Sequence, residues 1–233
     1  MQRVIIITGT SKGIGHSLAL SYLENGDIVV GCSRSESAIE HKNYRHFSLE
    51  VDDEKKVIKM VRAVKKEFTK IDILLNNAGV ASMNHFLTTS LSSVQKIFST
   101  NFIGTFLFSR EVAKVMMKQK SGSIVNYTTV ASALRLEGEA IYASSKSAVE
   151  NLTQTIAKEL APFNITVNAI GPTPIQTDLI KAVPREKIEK LLEKQAIKRL
   201  GEFDDVKNVI DFFTDKKSSF ITGQIIYLGG VNN

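Results

Sequence analysis

Short apolar runs alternate along the chain with longer stretches in which apolar residues recur every three or four positions. The runs are rich in β-branched residues and are bounded by glycine or polar residues, which indicates buried strands. Seven runs follow this pattern, at residues 4–8, 28–32, 46–51, 71–76, 123–128, 165–170 and 224–228. Between them lie stretches with helical spacing, such as Val57, Met60, Val61 and Val64, and these predict amphipathic helices.

This alternation predicts an α/β fold of the Rossmann type. Successive strand, helix and strand units form a parallel sheet, because right-handed crossovers place the helices on both of its faces. We therefore expect a doubly wound parallel sheet of about seven strands, in one domain over residues 1–233. Residues 33–43 are polar and predict a short or irregular helix. Residues 171–201 carry three of the four prolines and predict an insertion outside the sheet, which we expect to close over substrate.

The composition is ordinary for a globular protein, with 43% hydrophobic and 23% charged residues among 233. Cys32 is the only cysteine, which excludes an internal disulfide and favours a reducing compartment, the cytoplasm. No apolar stretch approaches the roughly 20 residues of a membrane span. The net charge of +6 comes from lysine and arginine interleaved with glutamate, so we expect neither a nucleic-acid nor a membrane partner.

A glycine-rich turn follows the first run and leads into a stretch of helical spacing. It reads Thr8-Gly9-Thr10-Ser11-Lys12-Gly13-Ile14-Gly15. Gly9 permits the tight turn, Gly13 permits backbone approach to a pyrophosphate, and Gly15 permits close packing of the helix. The helix N-terminus adds unpaired N–H donors and the positive end of a dipole. Glycines also mark plain turns, but the position after the first strand favours a dinucleotide site.

Two basic residues predict which dinucleotide binds. The second run is followed by Arg34, at the level where a protein that selects NAD carries an acidic residue for the ribose 2′-hydroxyl. Arg34 and Lys12 are instead suited to pair with a 2′-phosphate. The pattern therefore favours NADP(H) as cofactor. NAD(H) stays open, because exposed cations are often only solvated surface charges.

A tyrosine and a lysine lie four residues apart, at Tyr142 and Lys146. This spacing places both side chains on one face of a helix. A phenol has an ordinary pKa of about 10, and a nearby ammonium group lowers it by favouring the phenolate, which makes tyrosine a usable proton donor. Such a pair also arises often by chance, so its weight depends on the motifs around it.

The glycine turn and the Tyr142–Lys146 pair belong to a longer series of motifs along the chain. The series is Thr8-Gly-x-x-x-Gly13-x-Gly15, Asn76-Asn77-Ala78-Gly79, Asn101, Tyr142-x-x-x-Lys146, the Pro172 loop, Gly201-Glu202 and Ser219-Phe-Ile-Thr-Gly223-Gln. Over nearly the full chain it resembles the short-chain dehydrogenase/reductase family in its short, single-domain form, most closely the 3-oxoacyl-carrier-protein reductases. The resemblance implies a homotetramer or homodimer with contacts through residues 91–118, residues 143–160 and the last strand.

The resemblance also implies a role for each matching residue. Tyr142 is the general acid in reduction, and Lys146 lowers its pKa and binds the nicotinamide ribose. Asn101 holds a water of the proton relay. Thr129 stands where the family has a catalytic serine; its hydroxyl still suits polarising a substrate carbonyl, although its β-methyl restricts χ1. Ser132 is a fallback for that hydroxyl, and no metal is implied.

The cofactor contacts are assigned by the patterns above or by this resemblance. They are Gly9, Ser11, Lys12, Gly13, Ile14, Gly15, Arg34, Glu50, Val51, Asn77, Ala78, Gly79, Tyr142, Lys146, Pro172, Ile175 and Thr177. Glu50 stands where the family usually has aspartate, and Thr173 where it usually has glycine. Because Pro172 and Pro174 fix φ on either side of Thr173, we expect a stiffer loop there.

We expect an NADP(H)-dependent oxidoreductase that transfers a hydride between the cofactor and a carbonyl or alcohol substrate. The resemblance implies a 3-oxoacyl thioester on an acidic carrier, and Lys120, Lys181 and Arg185 are candidate contacts if they are not simply solvated charges. A sugar or nucleotide-sugar dehydrogenase is the alternative enzyme. A cofactor-binding sensor without turnover is the alternative from another class, and Thr129 keeps it open.

Overall fold

The strands form one parallel sheet at the centre of the molecule. The computed structural model describes residues 2–175 and 185–231. Within them the strands are β1 (Val4–Thr8), β2 (Ile28–Ser33), β3 (Tyr44–Ser48), β4 (Ile73–Asn76), β5 (Gly122–Tyr127), β6 (Ile165–Gly171) and β7 (Ile225–Tyr227). Their order is β3-β2-β1-β4-β5-β6-β7, and every neighbouring pair is parallel. The predicted Rossmann-type sheet of seven strands is confirmed over these residues.

Edge strand β3 is where predicted and observed boundaries differ most. The apolar run at 46–51 predicts this strand, whereas the strand begins at Tyr44 and ends at Ser48. In the described sheet it pairs only with β2, so polar residues such as Arg45 are accommodated on it. Leu49 leaves the ladder and is buried. An apolar criterion therefore starts this strand too late and ends it too late.

Helices cover both faces of the sheet, as predicted. They are α1 (Gly13–Glu24), α2 (Glu54–Phe68), α3 (Leu91–Phe98), α4 (Gly104–Gln119), α5 (Val130–Leu134), α6 (Ala140–Leu160), α7 (Arg185–Glu193) and α8 (Phe203–Thr214). Ile5 and Ile7 of β1 enter the core with α1 and α8. Val4 and Ile6 enter the core with α2, α4 and α6, because successive strand side chains point to opposite faces. Ser33 ends β2, and residues 34–43 contain no helix, so the short or irregular helix predicted at residues 33–43 is wrong.

The helix predicted at residues 91–118 is interrupted by one irregular turn. The π-helical segment Ser99–Ile103 lies between α3 and α4, and such segments are frequent at functional sites. It carries Asn101, whose side chain is fully buried. At Gly104, which follows, a Cβ would lie 2.5 Å from Val51 Cγ2. The start of α4 thus lies so close to the segment after β3 that a residue larger than glycine would not fit at position 104.

After β6, residues 172–175 and 185–200 lie outside the seven strands of the sheet, and the insertion over residues 171–201 stays a prediction. Ile175 and Gly201 form a parallel bridge that closes the base of the segment, and α7 lies between them. Leu191 of α7 packs in a small core with α5. Residues 176–184 lie outside the described residues, and the predictions for Thr177 and Lys181 lie there with them.

A buried chain of polar side chains ties the sheet to α4 and α6. Asn76 Nδ2 on β4 donates to Asn126 Oδ1 on β5 at 2.8 Å and to Ser109 Oγ on α4 at 2.9 Å. Asn126 Nδ2 donates onward to Thr153 Oγ1 on α6 at 2.8 Å. All four residues are buried. The chain fixes α6, and with it Tyr142, relative to the sheet.

Replacing Thr153 by valine tests this chain. The change keeps the shape of the side chain but leaves Asn126 Nδ2 without its acceptor, so we expect the free energy of unfolding to fall by about 1–3 kcal/mol. Thr155 is exposed on the same helix, and Thr155→Val should change it by less than about 0.5 kcal/mol. Urea unfolding followed by circular dichroism measures both; equal stabilities of the two variants would contradict the inferred role.

Candidate active site

One cleft opens at the edge of the sheet where the strands end. A doubly wound sheet presents its ligand sites at this carboxyl edge, and the cleft there has a volume of about 1400 Å³. The predicted site residues that line it are Gly9, Ser11, Lys12, Gly13, Ile14, Arg34, Glu50, Val51, Asn77, Ala78, Gly79, Thr129, Tyr142, Lys146, Pro172 and Ile175. Gly15 and Asn101 are buried behind its wall. The fold therefore brings residues from distant parts of the chain into one site.

The glycine-rich turn joins β1 to α1 at one end of the cleft. Gly9 has φ +78°, a left-handed conformation that favours glycine. A Cβ on Gly15 would lie 2.4 Å from the Gly9 carbonyl oxygen, so the close packing predicted for Gly15 is present. Asn77 braces the turn, because its Nδ2 donates to the Thr8 carbonyl at 2.8 Å and to the Gly9 carbonyl at 3.2 Å.

The start of α1 is arranged to receive an anion. Lys12 is the N-cap, and its side chain makes no hydrogen bond to the first turn. The first N–H groups of the helix are therefore available to an anion. Lys12 and Arg34 are exposed where they line the cleft, and neither forms an ion pair with another described residue. This end of the cleft therefore offers two cations, Lys12 and Arg34, to an anionic ligand.

Two hydroxyl groups meet at the other end of the cleft, where β5 leads into α5. Thr129 is the N-cap of α5, and its Oγ1 accepts from the Ala131 N–H at 3.2 Å. The Thr129 side chain also forms a hydrogen bond with Tyr142, which lowers the pKa of the phenol. Ser132 is not among the lining residues, and its Oγ lies 3.5 Å from Thr128 Oγ1. The geometry favours Thr129 over Ser132 as the second hydroxyl.

Burial shifts the pKa values of Tyr142 and Lys146 in the directions that disfavour charge. It raises the pKa of Tyr142 to about 12, and the hydrogen bond with Thr129 only partly opposes this. Burial lowers the pKa of Lys146 to about 8, partly opposed by the carboxylate of Glu150. The expected lowering of the Tyr142 pKa by Lys146 is not found, because Lys146 Nζ donates to the Tyr127 carbonyl at 2.8 Å. Because its pKa is about 12, Tyr142 is a neutral phenol at pH 7.

Asn101 holds nearby backbone rather than lining the cleft. Its Oδ1 accepts from the Val80 N–H at 2.8 Å, and its Nδ2 donates to the Val80 carbonyl at 3.0 Å. Asn101 Nδ2 also donates to Ser145 Oγ at 3.0 Å, and Ser145 Oγ donates to the Tyr142 carbonyl at 2.7 Å. Asn101 therefore links the segment after β4 to the helix turn that carries Tyr142.

Sequence reasoning missed Glu150, which lies one helical turn beyond Lys146. Its carboxylate accepts a hydrogen bond from Thr128 and raises the pKa of Lys146. The spacing was a usable signal, since residues four apart on a helix face one another. Sequence reasoning also missed the wall formed by Leu136, Glu137, Ile188, Lys190, Leu191 and Lys194. No motif marks that wall, because it depends on where α7 packs.

The carrier contacts predicted from the sequence need one correction. Lys120 is the C-cap of α4, and α4 leads into the start of β5. Lys120 therefore lies at the amino edge of the sheet, whereas the cleft lies at the carboxyl edge. A lysine that follows a helix in this fold is carried away from the site by the direction of the crossover. Arg185 begins α7, next to the cleft wall.

Comparison with known proteins identifies the family. The family model for enoyl-(acyl carrier protein) reductase matches residues 9–232. A 3-oxoacyl-[acyl-carrier-protein] reductase of Staphylococcus epidermidis is 33% identical over 240 residues, which cover 99% of this chain and 98% of that protein. The solved structure of ElxO with NADP bound has a TM-score of 0.90 at 29% identity and covers 98% of this chain and 97% of its own. The ligand-free aldohexose dehydrogenase of Thermoplasma acidophilum has a TM-score of 0.88 at 29% identity, with coverage of 98% and 93%.

The chain belongs to the short-chain dehydrogenase/reductase family. It is a nicotinamide-dependent oxidoreductase of that family, so the predicted family, enzyme class and Rossmann-type fold are confirmed. Among the described residues, no helix is both long and apolar enough to cross a bilayer. Over the same residues, no group of three His, Cys, Asp or Glu side chains is placed to hold a metal ion.

Replacing Lys146 by methionine tests the cost of burying its charge. The pKa of Lys146 is about 8 in the folded chain against an ordinary value of 10.5. Between these pH values the folded state releases its proton first, so the stability of the wild type rises with pH there. We expect the free energy of unfolding of Lys146→Met to exceed that of the wild type by about 1–2 kcal/mol at pH 7. This figure includes the loss of the hydrogen bond to the Tyr127 carbonyl. Near pH 10 the difference should disappear.

Urea unfolding at pH 7 and pH 10 measures this difference. Lys158 is exposed on the same helix, and Lys158→Met is the matched control, for which we expect no such pH dependence. A Lys146→Met protein that is less stable than the wild type at pH 7 would show that the charge is not buried at a cost.

Proposed function

We propose that the protein is an NADP(H)-dependent reductase of 3-oxoacyl thioesters. One observation carries the proposal: a single cleft is lined by two cations at one end, Lys12 and Arg34, and by two hydroxyls at the other, Thr129 and Tyr142. The likeness to the Staphylococcus epidermidis reductase over nearly the whole chain supports the acyl substrate. The likeness to ElxO with NADP bound supports the predicted preference for NADP(H).

The described residues fit a nicotinamide dinucleotide phosphate. The available N–H groups at the start of α1 suit the diphosphate, and Lys12 and Arg34 suit the 2′-phosphate. Glu50 and Val51 line the same end and suit the adenine. Lys146, at the other end, suits the nicotinamide ribose. When bound, the reduced nicotinamide supplies the reducing equivalent.

Thr129 and Tyr142 act on the substrate carbonyl oxygen. The Thr129 hydroxyl donates to that oxygen and polarises the carbonyl. Tyr142 keeps its proton at neutral pH, since burial raises its pKa, and it gives that proton to the oxygen as the alcohol forms. Lys146 is charged below a pH of about 8 and is held by the Tyr127 carbonyl, so its proposed role is to bind the cofactor ribose rather than to lower the pKa of Tyr142. Asn101 is a positioning residue that acts through Ser145.

The wall formed by α7 suits an acyl chain on an acidic carrier. Leu136, Ile188 and Leu191 give it apolar surface, which suits the acyl chain. Lys194 is exposed on the same wall, and a cation there suits an acidic carrier. Lys194 therefore replaces Lys120 among the proposed carrier contacts.

A sugar or nucleotide-sugar dehydrogenase is the second candidate. The likeness to the aldohexose dehydrogenase of Thermoplasma acidophilum favours it. Glu137 also lines the cleft, and a carboxylate is a good acceptor for sugar hydroxyls. The two candidates share their cofactor and proton donor, so substrate assays separate them.

We infer assembly into a homotetramer or homodimer that works in the cytoplasm. Phe86, Leu87, Leu91 and Phe106 are large exposed apolar side chains on or just before α3 and α4, and such a group favours a protein contact. The family resemblance assigns subunit contacts to these helices. Cys32 is a buried free thiol, which suits a reducing compartment.

Replacing Tyr142 by phenylalanine separates turnover from binding. The ring is kept and the proton donor is lost, so we expect kcat to fall by about 10²–10⁴-fold while NADPH binding is retained. The absorbance of the reduced nicotinamide measures turnover with acetoacetyl thioesters and with aldohexoses, and NADPH fluorescence measures binding. A wild-type protein that binds NADPH and turns over neither class favours the sensor alternative; a fully active Tyr142→Phe protein would refute the role of Tyr142.

Thr129 is tested by two changes of opposite expected effect. Thr129→Val keeps the shape and removes the hydroxyl, so we expect kcat/KM to fall by about 10²-fold. Thr129→Ser keeps the hydroxyl and frees χ1, so activity should equal or exceed the wild type. Ser132→Ala should leave kcat/KM unchanged. Loss of activity in Ser132→Ala, with Thr129→Val active, would reverse the assignment of the two hydroxyls.

Replacing Arg34 by alanine tests the assignment of the 2′-phosphate. Charge-assisted hydrogen bonds to the phosphate are lost, so we expect the Kd of NADPH to rise by about 10- to 100-fold. NADH lacks that phosphate and is the internal control, with a Kd that should change little. Fluorescence titration of both cofactors measures the effect; equal weakening of the two would show that Arg34 contacts something else.

A further inference from the structure

A row of polar side chains links the glycine turn to the loop after β2. Thr10 Oγ1 lies 2.9 Å from Tyr44 Oη, and Tyr44 Oη lies 3.1 Å from His46 Nδ1. On the other side of the ring, His46 Nε2 lies 3.0 Å from the Ser35 carbonyl oxygen. The row passes through edge strand β3, which supplies both ring residues.

The carbonyl at one end of the row fixes the role of His46 Nε2. Because the Ser35 carbonyl only accepts, Nε2 carries a proton and donates to it at 3.0 Å. Ser33 Oγ lies 3.3 Å from the same nitrogen. His46 therefore bonds the loop after β2 through Nε2, and its Nδ1 is bonded to Tyr44 Oη.

The row is closely packed against β2 and ends at the cleft. A Cβ on Gly31 would lie 2.3 Å from Tyr44 Oη and 2.4 Å from Thr10 Oγ1. Thr10 and Tyr44 are buried, whereas Arg34 and Ser35 line the cleft. The row therefore connects the interior to the cleft end proposed for the 2′-phosphate.

The backbone is held on both sides of Arg34. Before it, the Ser33 carbonyl accepts from the Leu49 N–H at 2.9 Å. After it, the Ser35 carbonyl accepts from Ser33 Oγ at 2.7 Å and from His46 Nε2 at 3.0 Å. Residues 34–43 are irregular. These side-chain hydrogen bonds therefore hold the backbone that is held elsewhere in the sheet by hydrogen bonds between strands.

We propose that His46 is a positioning residue that sets the preference for NADP(H) over NAD(H), by holding the backbone next to Arg34 so that the guanidinium is ready for a 2′-phosphate. The inference rests on the proposed role of Arg34. An arginine on a held backbone loses less conformational freedom on binding than one on a loose loop. The nicotinamide site lies on other elements, and His46 reaches the glycine turn only through Tyr44 and Thr10, so NADH binding depends less on His46.

Fluorescence titration with NADPH and with NADH measures the effect in the intact protein. For His46→Leu we expect the ratio of the NADH Kd to the NADPH Kd to fall by about 3- to 10-fold, which corresponds to one lost hydrogen bond. His46→Gln keeps an N–H donor of similar reach and should recover much of the ratio. Tyr44→Phe removes the hydroxyl that orients the ring and should lower the ratio.

A double-mutant cycle separates this role from a general effect on folding. If His46 acts through Arg34, His46→Leu lowers the ratio in the wild type and leaves it unchanged in an Arg34→Ala background. Arg45→Ala is the matched control, because Arg45 lies next to His46 on β3 and its guanidinium bonds Glu67 and the carbonyls of Lys42 and Tyr44, but none of the side chains in the row. It should leave the ratio unchanged.

Two results would overturn the proposal. The first is an unchanged ratio in His46→Leu, whether both Kd values stay at the wild-type level or both rise by the same factor. The second is a fall of the same size with and without Arg34. If NADPH and NADH binding weaken equally and the melting temperature falls, His46 has only a structural role. If His46→Leu does not fold, the ratios measured for His46→Gln and Tyr44→Phe test the proposal. An Arg34→Ala protein with a normal ratio would instead refute the role of Arg34, on which this inference rests.

Discussion

The contact between Gly15 and the Gly9 carbonyl sets the geometry of the whole carboxyl edge. The first turn of α1 comes so near to the end of β1 that a Cβ at Gly15 would lie 2.4 Å from that oxygen and from Asn77 Nδ2. Asn77 then ties the crossing to β4 by donating to both carbonyls of the turn. The same approach aims the N-terminus of α1 into the cleft. The absence of a side chain at Gly15 therefore determines where the anion site, the segment after β4 and Lys12 lie.

The end of the cleft that holds Thr129, Tyr142 and Lys146, here called the chemical end, disfavours the charged forms of Tyr142 and Lys146. Burial lowers the pKa of Lys146 and raises that of Tyr142, so each is less stable in its charged form than it is in water. Glu150 partly offsets this for Lys146, and Thr129 partly offsets it for Tyr142. A buried group whose proton is held this way responds strongly to any charge that arrives beside it. Burial therefore makes the site sensitive to what binds there.

The sequence predicts what depends on local spacing and burial. Central strands such as β1 and β6 are mostly apolar because both faces are covered. The distances from Gly9 to Gly15 and from Tyr142 to Lys146 are set within one turn or one helix. Edge strand β3 was misplaced because one uncovered edge admits polar residues. The bond from Lys146 to the Tyr127 carbonyl, the α7 wall and the row through His46 depend on which elements meet in space. The partners lie on different elements or loops, and no periodic pattern of the sequence shows that they meet.

The two ends of the cleft are held by different means, and this separates their functions. At the chemical end, α6 is tied to the sheet by the buried chain from Asn76 to Thr153, so Tyr142 moves only if the core moves. At the other end, Arg34 sits on irregular chain held by side chains such as His46. A few side-chain bonds are easier to change than a core. The fold therefore lets cofactor preference change while the proton donor stays in place.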